Sequence, residues 1–452
     1  MAELSGNGGA GFPTEERLLA KWLDPWLVPL VVLLPLLAWW GLPRIPPQRR
    51  LPVEAAWGGT RYEPTRLPFE RRSLSDPADA RPFISHVQVL DFDDDGQADV
   101  LVCDAKQNCV KLLSPAAAGS WNEKVLAADL AAPAHATVLD VDGDGDRDLV
   151  VSLLGDILPN DGVIGRVVWL ENTAAGFETH PLLDDVRRVA DCQAGDLDGD
   201  GDIDLAVAVF GYARGQVLWL ENRGEGRYRD HELLNAPGTI HVPLADYDGD
   251  GDLDIAAIVS QEEEELWSFE NLGGGEFRPR RLWFTINDDL GSAGLVADDL
   301  DQDGDVDLLL PAGDNLEVAH AHPQRYHGCL WFENRGNWQF EMKRISDLGT
   351  TYACAVGDLD GDGDRDVVLV SLVNNWTNPE NASVVWLEND GRQNFTPWQI
   401  DNQPTHRVTV AVGDLDGDGR LDVVTGGLHL NGPFDRVGGV VGWFQGKGWV
   451  AP

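Results

Sequence analysis

The chain is poor in sulfur and in positive charge. Its 452 residues include 5 cysteines and 2 methionines, and 34 Lys+Arg stand against 76 Asp+Glu, a formal net charge of −42. No CxxC or CxxCH occurs among Cys103, Cys109, Cys192, Cys329 and Cys354, which removes a zinc ribbon and an attached haem. The charge excludes nucleic acid as a main partner, because phosphate would be repelled. Catalytic signatures are missing as well: there is no GxSxG, HExxH, P-loop, or GxGxxG in a βαβ context. Sustained helical periodicity is absent from residues 60–452.

What is present excludes disorder. Hydrophobic residues make up 43%, with 17 Trp and 14 Phe, enough for a large core, and 50 Gly and 26 Pro point to many turns. Internal repetition decides the fold. The pattern D-x-D-x-D-G-x-x-D starts at Asp91, Asp140, Asp196, Asp246, Asp299, Asp358 and Asp414, at spacings of 49, 56, 50, 53, 59 and 56 residues. A short apolar run precedes and follows each copy. A second signature, W-[LF]-E-N, follows at Trp169, Trp219, Trp331 and Trp386, with degenerate forms near Trp267 and Trp443. Each repeat therefore reads strand a, acidic loop, strand b, variable loop, strand c, turn, strand d. Seven such units predict an all-β fold, a seven-bladed β-propeller over residues 61–452. The last repeat stops before its strand d. Phe69–Leu74 carries the missing Phe-x-x-x-x-Leu pattern, so residues 67–74 are expected to close blade 7.

The acidic loops read as cation sites. Alternating carboxylates on a tight loop repel one another unless a cation lies between them, and all-oxygen donors suit Ca²⁺ better than Zn²⁺. Positions one, three, five and nine supply the expected side-chain ligands. These are Asp91, Asp93, Asp95 and Asp99 in blade 1, Asp140, Asp142, Asp144 and Asp148 in blade 2, and Asp196, Asp198, Asp200 and Asp204 in blade 3. Blade 4 offers Asp246, Asp248, Asp250 and Asp254, and blade 5 offers Asp299, Asp301, Asp303 and Asp307. Asp358, Asp360, Asp362 and Asp366 follow in blade 6, then Asp414, Asp416, Asp418 and Asp422 in blade 7. Position seven needs only its carbonyl, so Arg420 is tolerable there, and position six is glycine in all seven copies. An EF-hand is excluded, because position twelve is Val, Ala, Leu or Thr rather than Glu. Up to seven Ca²⁺ are expected. The loops hold 34 aspartates, without which the net charge would be −8.

These repeats resemble the FG-GAP/VCBS family, which includes the integrin α-subunit propeller and many bacterial exported proteins. The resemblance implies calcium-bound blades and, often, adhesion or ligand binding. The Phe-Gly and Gly-Ala-Pro tags of the integrin version are mostly absent, Phe210-Gly211 being an isolated match, so the bacterial type is the nearer one.

Residues 25–43 carry no charge, and nineteen helical residues span about 28 Å, close to a bilayer core. Trp22, Trp26, Trp39 and Trp40 flank the run like interfacial belts. A transmembrane anchor is expected here, after a tail over 1–24 and before a tether over 44–60. A cleaved signal peptide is the rival reading, weakened by the lack of a small-x-small site and by Glu3, Glu15 and Glu16. The basic residues mildly favour a cytoplasmic propeller, whereas seven calcium loops favour the periplasm or the cell exterior; the latter is the expectation. An oxidising compartment would permit a Cys103–Cys109 disulfide, with two separate thiols as the other reading.

The b–c loops vary most, with insertions near 155–165, 314–328, 373–383 and 427–439 on the face opposite the acidic loops. Histidines gather there. Five residues before the first loop aspartate stand His86, His135, Asp191 and His241, and the insertions carry His320, His322, His327 and His429. These are the candidate ligand-binding residues. They serve either as ligand or transition-metal contacts, or as ordinary inner-strand and loop polar residues. Trp376, Tyr326 and Phe434 are candidates for an aromatic contact surface. The leading functional expectation is a membrane-anchored binding module for a protein or glycan, or an accessory subunit of a membrane complex. A carbohydrate-active lyase or hydrolase using the histidine face, and a structural spacer, are the alternatives.

Overall fold

The computed structural model describes residues 58–75, 81–158, 160–224, 226–261, 263–287, 289–314, 322–429 and 436–446. The expected tail, the membrane anchor over 25–43, most of the tether, His320 and Phe434 lie outside these residues. Among the described residues there is no α-helix, only one 3₁₀ turn at Ala117–Gly119.

Seven antiparallel blades follow one another along the chain, and in blades 1 to 6 strands a to d come in sequence order. Blade 1, for example, runs Ile84–Leu90, Asp99–Asp104, Cys109–Pro115 and Trp121–Ala127. Strand b is buried along its whole length in blades 1, 2, 3, 5, 6 and 7. Such a strand is covered on both faces, which is why Leu149–Val151 and Val367–Val370 read as continuous apolar runs rather than alternating ones. The core consists of the contacts between neighbouring blades. Leu101, Val110 and Leu112 of blade 1 pack with Leu149, Val151, Val168 and Leu170 of blade 2. Val424 and Phe444 of blade 7 pack with Val100, Val102 and Leu113 of blade 1, which closes the ring.

Blade 7 takes its fourth strand from the other end of the chain. Phe69–Ser73 pairs antiparallel with Val441–Gln445, from Phe69 opposite Gln445 to Ser73 opposite Val441. Just before it, Glu63–Pro64 pairs in parallel with strand d of blade 6. Gly58–Thr60, expected to be tether, is bonded into the blade 6 insertion: Asn374 exchanges hydrogen bonds with the Thr60 N–H and carbonyl at 2.7 Å each, and Asn381 donates to the Gly58 carbonyl. The N-terminal segment thus fastens two blades.

Cys103 pairs in register with Val110 and Asp104 with Cys109, so the two cysteines point to opposite faces of the sheet. All five cysteines are buried free thiols.

Candidate functional site

Two sets of functional groups lie at opposite ends of the inner strands. At the a–b end, the glycine at loop position six takes φ between +84° and +101° in every blade, a conformation that a side chain would strain. That turn lets the first aspartate accept the glycine N–H, as Asp91 does from Gly96 and Asp358 does from Gly363, both at 3.0 Å. Carboxylate oxygens of positions one, three and nine lie within 4.8 Å of one another in blades 1, 2 and 3, and those of Asp246, Asp248 and Asp250 do so in blade 4. Such oxygen-only convergence fits a hard divalent cation.

The ninth aspartate has a second task. One oxygen of Asp307 accepts the Leu300 N–H at 3.1 Å and the other accepts the Asn334 N–H at 2.7 Å. The Asn334 side chain donates to the carbonyls of Val306 and of Tyr247 in the preceding blade. The asparagine of W-[LF]-E-N therefore ties loop, strand c and neighbouring blade together. Burial pushes these carboxyls up, to about 6 for Asp204 and Asp422, about 7 for Asp254 and Asp307, and about 8 for Asp366, against the pull of the backbone N–H groups. A seated cation would relieve that penalty.

At the other end, the inner strands surround a cavity of about 1170 Å³ that opens among the b–c loops. The position five residues before the first loop aspartate lines it in all seven blades: His86, His135, Asp191, His241, Gly294, Ala353 and Thr409. The register slips one residue earlier in six of these strands, at Ser85, Ala134, Ala190, Ile240, Tyr352 and Val408. Bulges of this kind re-aim the following side chain. One arc of the ring is thereby polar and the other nearly bare.

Asp191 is the centre of the polar arc, with 2% of its side chain exposed. Its Oδ2 accepts the Val242 N–H at 3.1 Å and bonds His241 Nδ1 at 3.3 Å, while His135 Nδ1 lies 3.2 Å from Oδ1. Burial alone raises the Asp191 carboxyl, but His135, His241 and the Val242 N–H outweigh it and hold it well below the usual range. Burial pushes the His86 and His135 imidazoles down, so both stay neutral at neutral pH. Their rings meet edge to face, with centroids 4.2 Å apart.

The structure thus gathers His86, His135, Asp191 and His241 and places the other described histidines away from the cavity lining. His327 has a structural position: its Nδ1 accepts the N–H groups of Gln324 and Thr350, and its Nε2 donates to the Asp289 carbonyl. His322 bonds the Gln324 side chain, and the His429 N–H donates to the Pro82 carbonyl. Trp376 is buried, with its indole N–H on the Leu372 carbonyl, so it contributes no contact surface. Tyr326 is half-buried and bonds Asp289. Sequence reasoning missed Arg188, which lines the cavity; its position three residues before Asp191 was the available signal.

Fold and loops together define a seven-bladed propeller of acidic-loop repeats. The chain belongs to the FG-GAP-like repeat family, whose pattern matches residues 91–151, 140–207, 196–257, 246–310 and 358–425, windows that contain all seven acidic loops. No curated protein matches the chain. Among solved structures it is similar to virginiamycin B lyase from Staphylococcus aureus, at 11% identity and TM-score 0.52 over 84% of this chain and 99% of that one. It is also similar to BBS1N in complex with ARL6DN, at 10% identity and TM-score 0.51 over 85% of this chain and 98% of that one. At such identities the likeness is one of fold alone.

Proposed function

We propose that this protein is a calcium-loaded propeller, anchored in a membrane by residues 25–43 and facing the periplasm or cell exterior, that presents its b–c face to a protein or glycan ligand or to other subunits of a membrane complex. Up to seven Ca²⁺ would be held by loop positions one, three, five and nine with the carbonyl of position seven, and would stiffen each a–b hairpin. The observation that carries the binding reading is the cavity mouth. It opens among the variable loops, where Leu158, Val163 and Ile164 of the blade 2 insertion are 59%, 55% and 38% exposed. Exposed apolar residues around a concave opening are the usual mark of an interaction face. Purification from membranes in mild detergent with calcium tests the reading. Partners that are lost when residues 155–165 are replaced by a short turn would support it, and an unchanged partner set would contradict it.

The hydrogen bond from His241 to Asp191 favours a second reading, an enzyme using the channel, since a carboxylate-oriented imidazole is suited to moving protons. Turnover of a polysaccharide panel that is abolished by His241→Ala would support it.

A further inference from the structure

One charge in the channel has no ion-pair partner among the described residues. Arg188, directly before strand a of blade 3, is 8% exposed and lines the cavity. Its Nη2 donates to the Ile157 carbonyl at a long 3.3 Å, the guanidinium lies 5.3 Å from the Phe210 ring centroid, and the enclosed Nε atom has no hydrogen-bond partner. Asp156 of the blade 2 insertion is near enough to favour its charge, but among the described residues no carboxylate lies within ion-pair distance of it. Arg407 of blade 7 shows what a satisfied buried arginine looks like here: its guanidinium meets the Thr425 hydroxyl and the carbonyls of Thr425, Gly438 and Gly439.

The acids around the same cavity are all matched. Glu264 accepts the N–H groups of Gly291 and Ser292, Asp289 accepts the Tyr326 hydroxyl, and Asp314 accepts the Tyr352 hydroxyl. Asp191 is filled by Val242 and His241. A buried, unpaired guanidinium is costly, and its fork fits a carboxylate. Deeper in the channel, His241 donates Nδ1–H to Asp191, which leaves Nε2 as an acceptor on a side chain that is 30% exposed.

We propose that the channel binds a small hydroxylated carboxylate, a sugar acid in chemical class, with its carboxylate on Arg188 and a hydroxyl donating to His241 Nε2. Arg188 is the one arginine or lysine lining the cavity among the described residues. The proposal deepens the binding reading of the b–c face and rests on it. The two fail separately, because replacing the 155–165 insertion addresses macromolecular partners while a small-molecule titration addresses the channel.

The test is calorimetric titration of the full-length protein, in detergent with calcium, using D-glucuronate as probe and D-glucose and acetate as comparators. Saturable one-to-one binding of glucuronate is expected, with glucose and acetate each about 10-fold weaker or more, the loss expected from one charge-assisted pair or its hydroxyl partner. Arg188→Gln and His241→Phe are expected to weaken glucuronate by about 10-fold or more without lowering the melting temperature, and Arg188→Lys to fall between. Absence of saturable binding, equal affinity for glucose, or undiminished affinity in folded Arg188→Gln would overturn the proposal. Should Arg188→Gln not fold, the Arg188→Lys variant and the glucose comparison decide the matter.

Discussion

Asp307 accepts the backbone N–H of Asn334 at 2.7 Å, and the same bond recurs between the ninth loop position and the end of strand c in blades 2, 3, 4, 6 and 7. The acidic loop and the blade hairpin are therefore one structure. Asp307 is fully buried and satisfies two N–H groups, while Asp303, four residues earlier in the same loop, is exposed. Asp307→Ala is expected to destabilise the protein by about 2–4 kcal/mol even in calcium-free buffer, since two buried donors lose their acceptor. Asp303→Ala should cost less than about 1 kcal/mol there. Thermal denaturation of both variants in chelator checks the contrast, and equal losses would contradict it.

His327 makes stability depend on pH. Burial lowers its imidazole from 6.5 to about 4, and protonating Nδ1 would break the bonds from Gln324 and Thr350. The unfolded chain takes up the proton first as pH falls. Its stabilising contribution is therefore complete above the unfolded value near 6.5 and is lost as pH falls towards about 4, on the order of 3 kcal/mol. Buried neutral His86 and His135 act in the same direction. Denaturant unfolding of His327→Asn between pH 7 and 4 should show a shallower loss than the parent protein.

Much of this was legible in the sequence. Seven D-x-D-x-D-G loops and the W-[LF]-E-N runs are local patterns, and each dictates its own backbone, so the blades could be read directly. The repeat register also picked out His86, His135, Asp191 and His241, although their contacts cross from blade to blade. What stayed hidden depends on the assembled ring. The bulges at Ser85, Ala134 and Ala190 have no distinguishing residue type, yet they aim the next side chain into the channel. Burial of Trp376 and of Arg188 follows from packing that no single repeat encodes. Gly58–Thr60 looked like linker because its bonds are to Asn374 and Asn381, more than three hundred residues away.

Ring closure gives a third expectation. Phe69–Ser73 covers the edge of Val441–Gln445, and an uncovered apolar edge is a template for association. A chain starting at residue 58 should be monodisperse in light scattering. One starting at residue 76 should aggregate or lose cooperativity on heating. Equal behaviour of the two would contradict a closing role for this strand.

If the acidic loops bind calcium as part of the folded state, removing the ion must destabilise the protein. A ligand that binds only the native protein stabilises it by about 2.7 kcal/mol per site at a hundredfold excess over Kd. The direct measurement is the melting temperature of the full-length protein in calcium and in excess chelator, with bound calcium per chain determined by elemental analysis. Several ions per chain, a large fall in melting temperature on chelation and recovery when calcium is restored are expected. An unchanged melting temperature in excess chelator would contradict calcium binding by the loops.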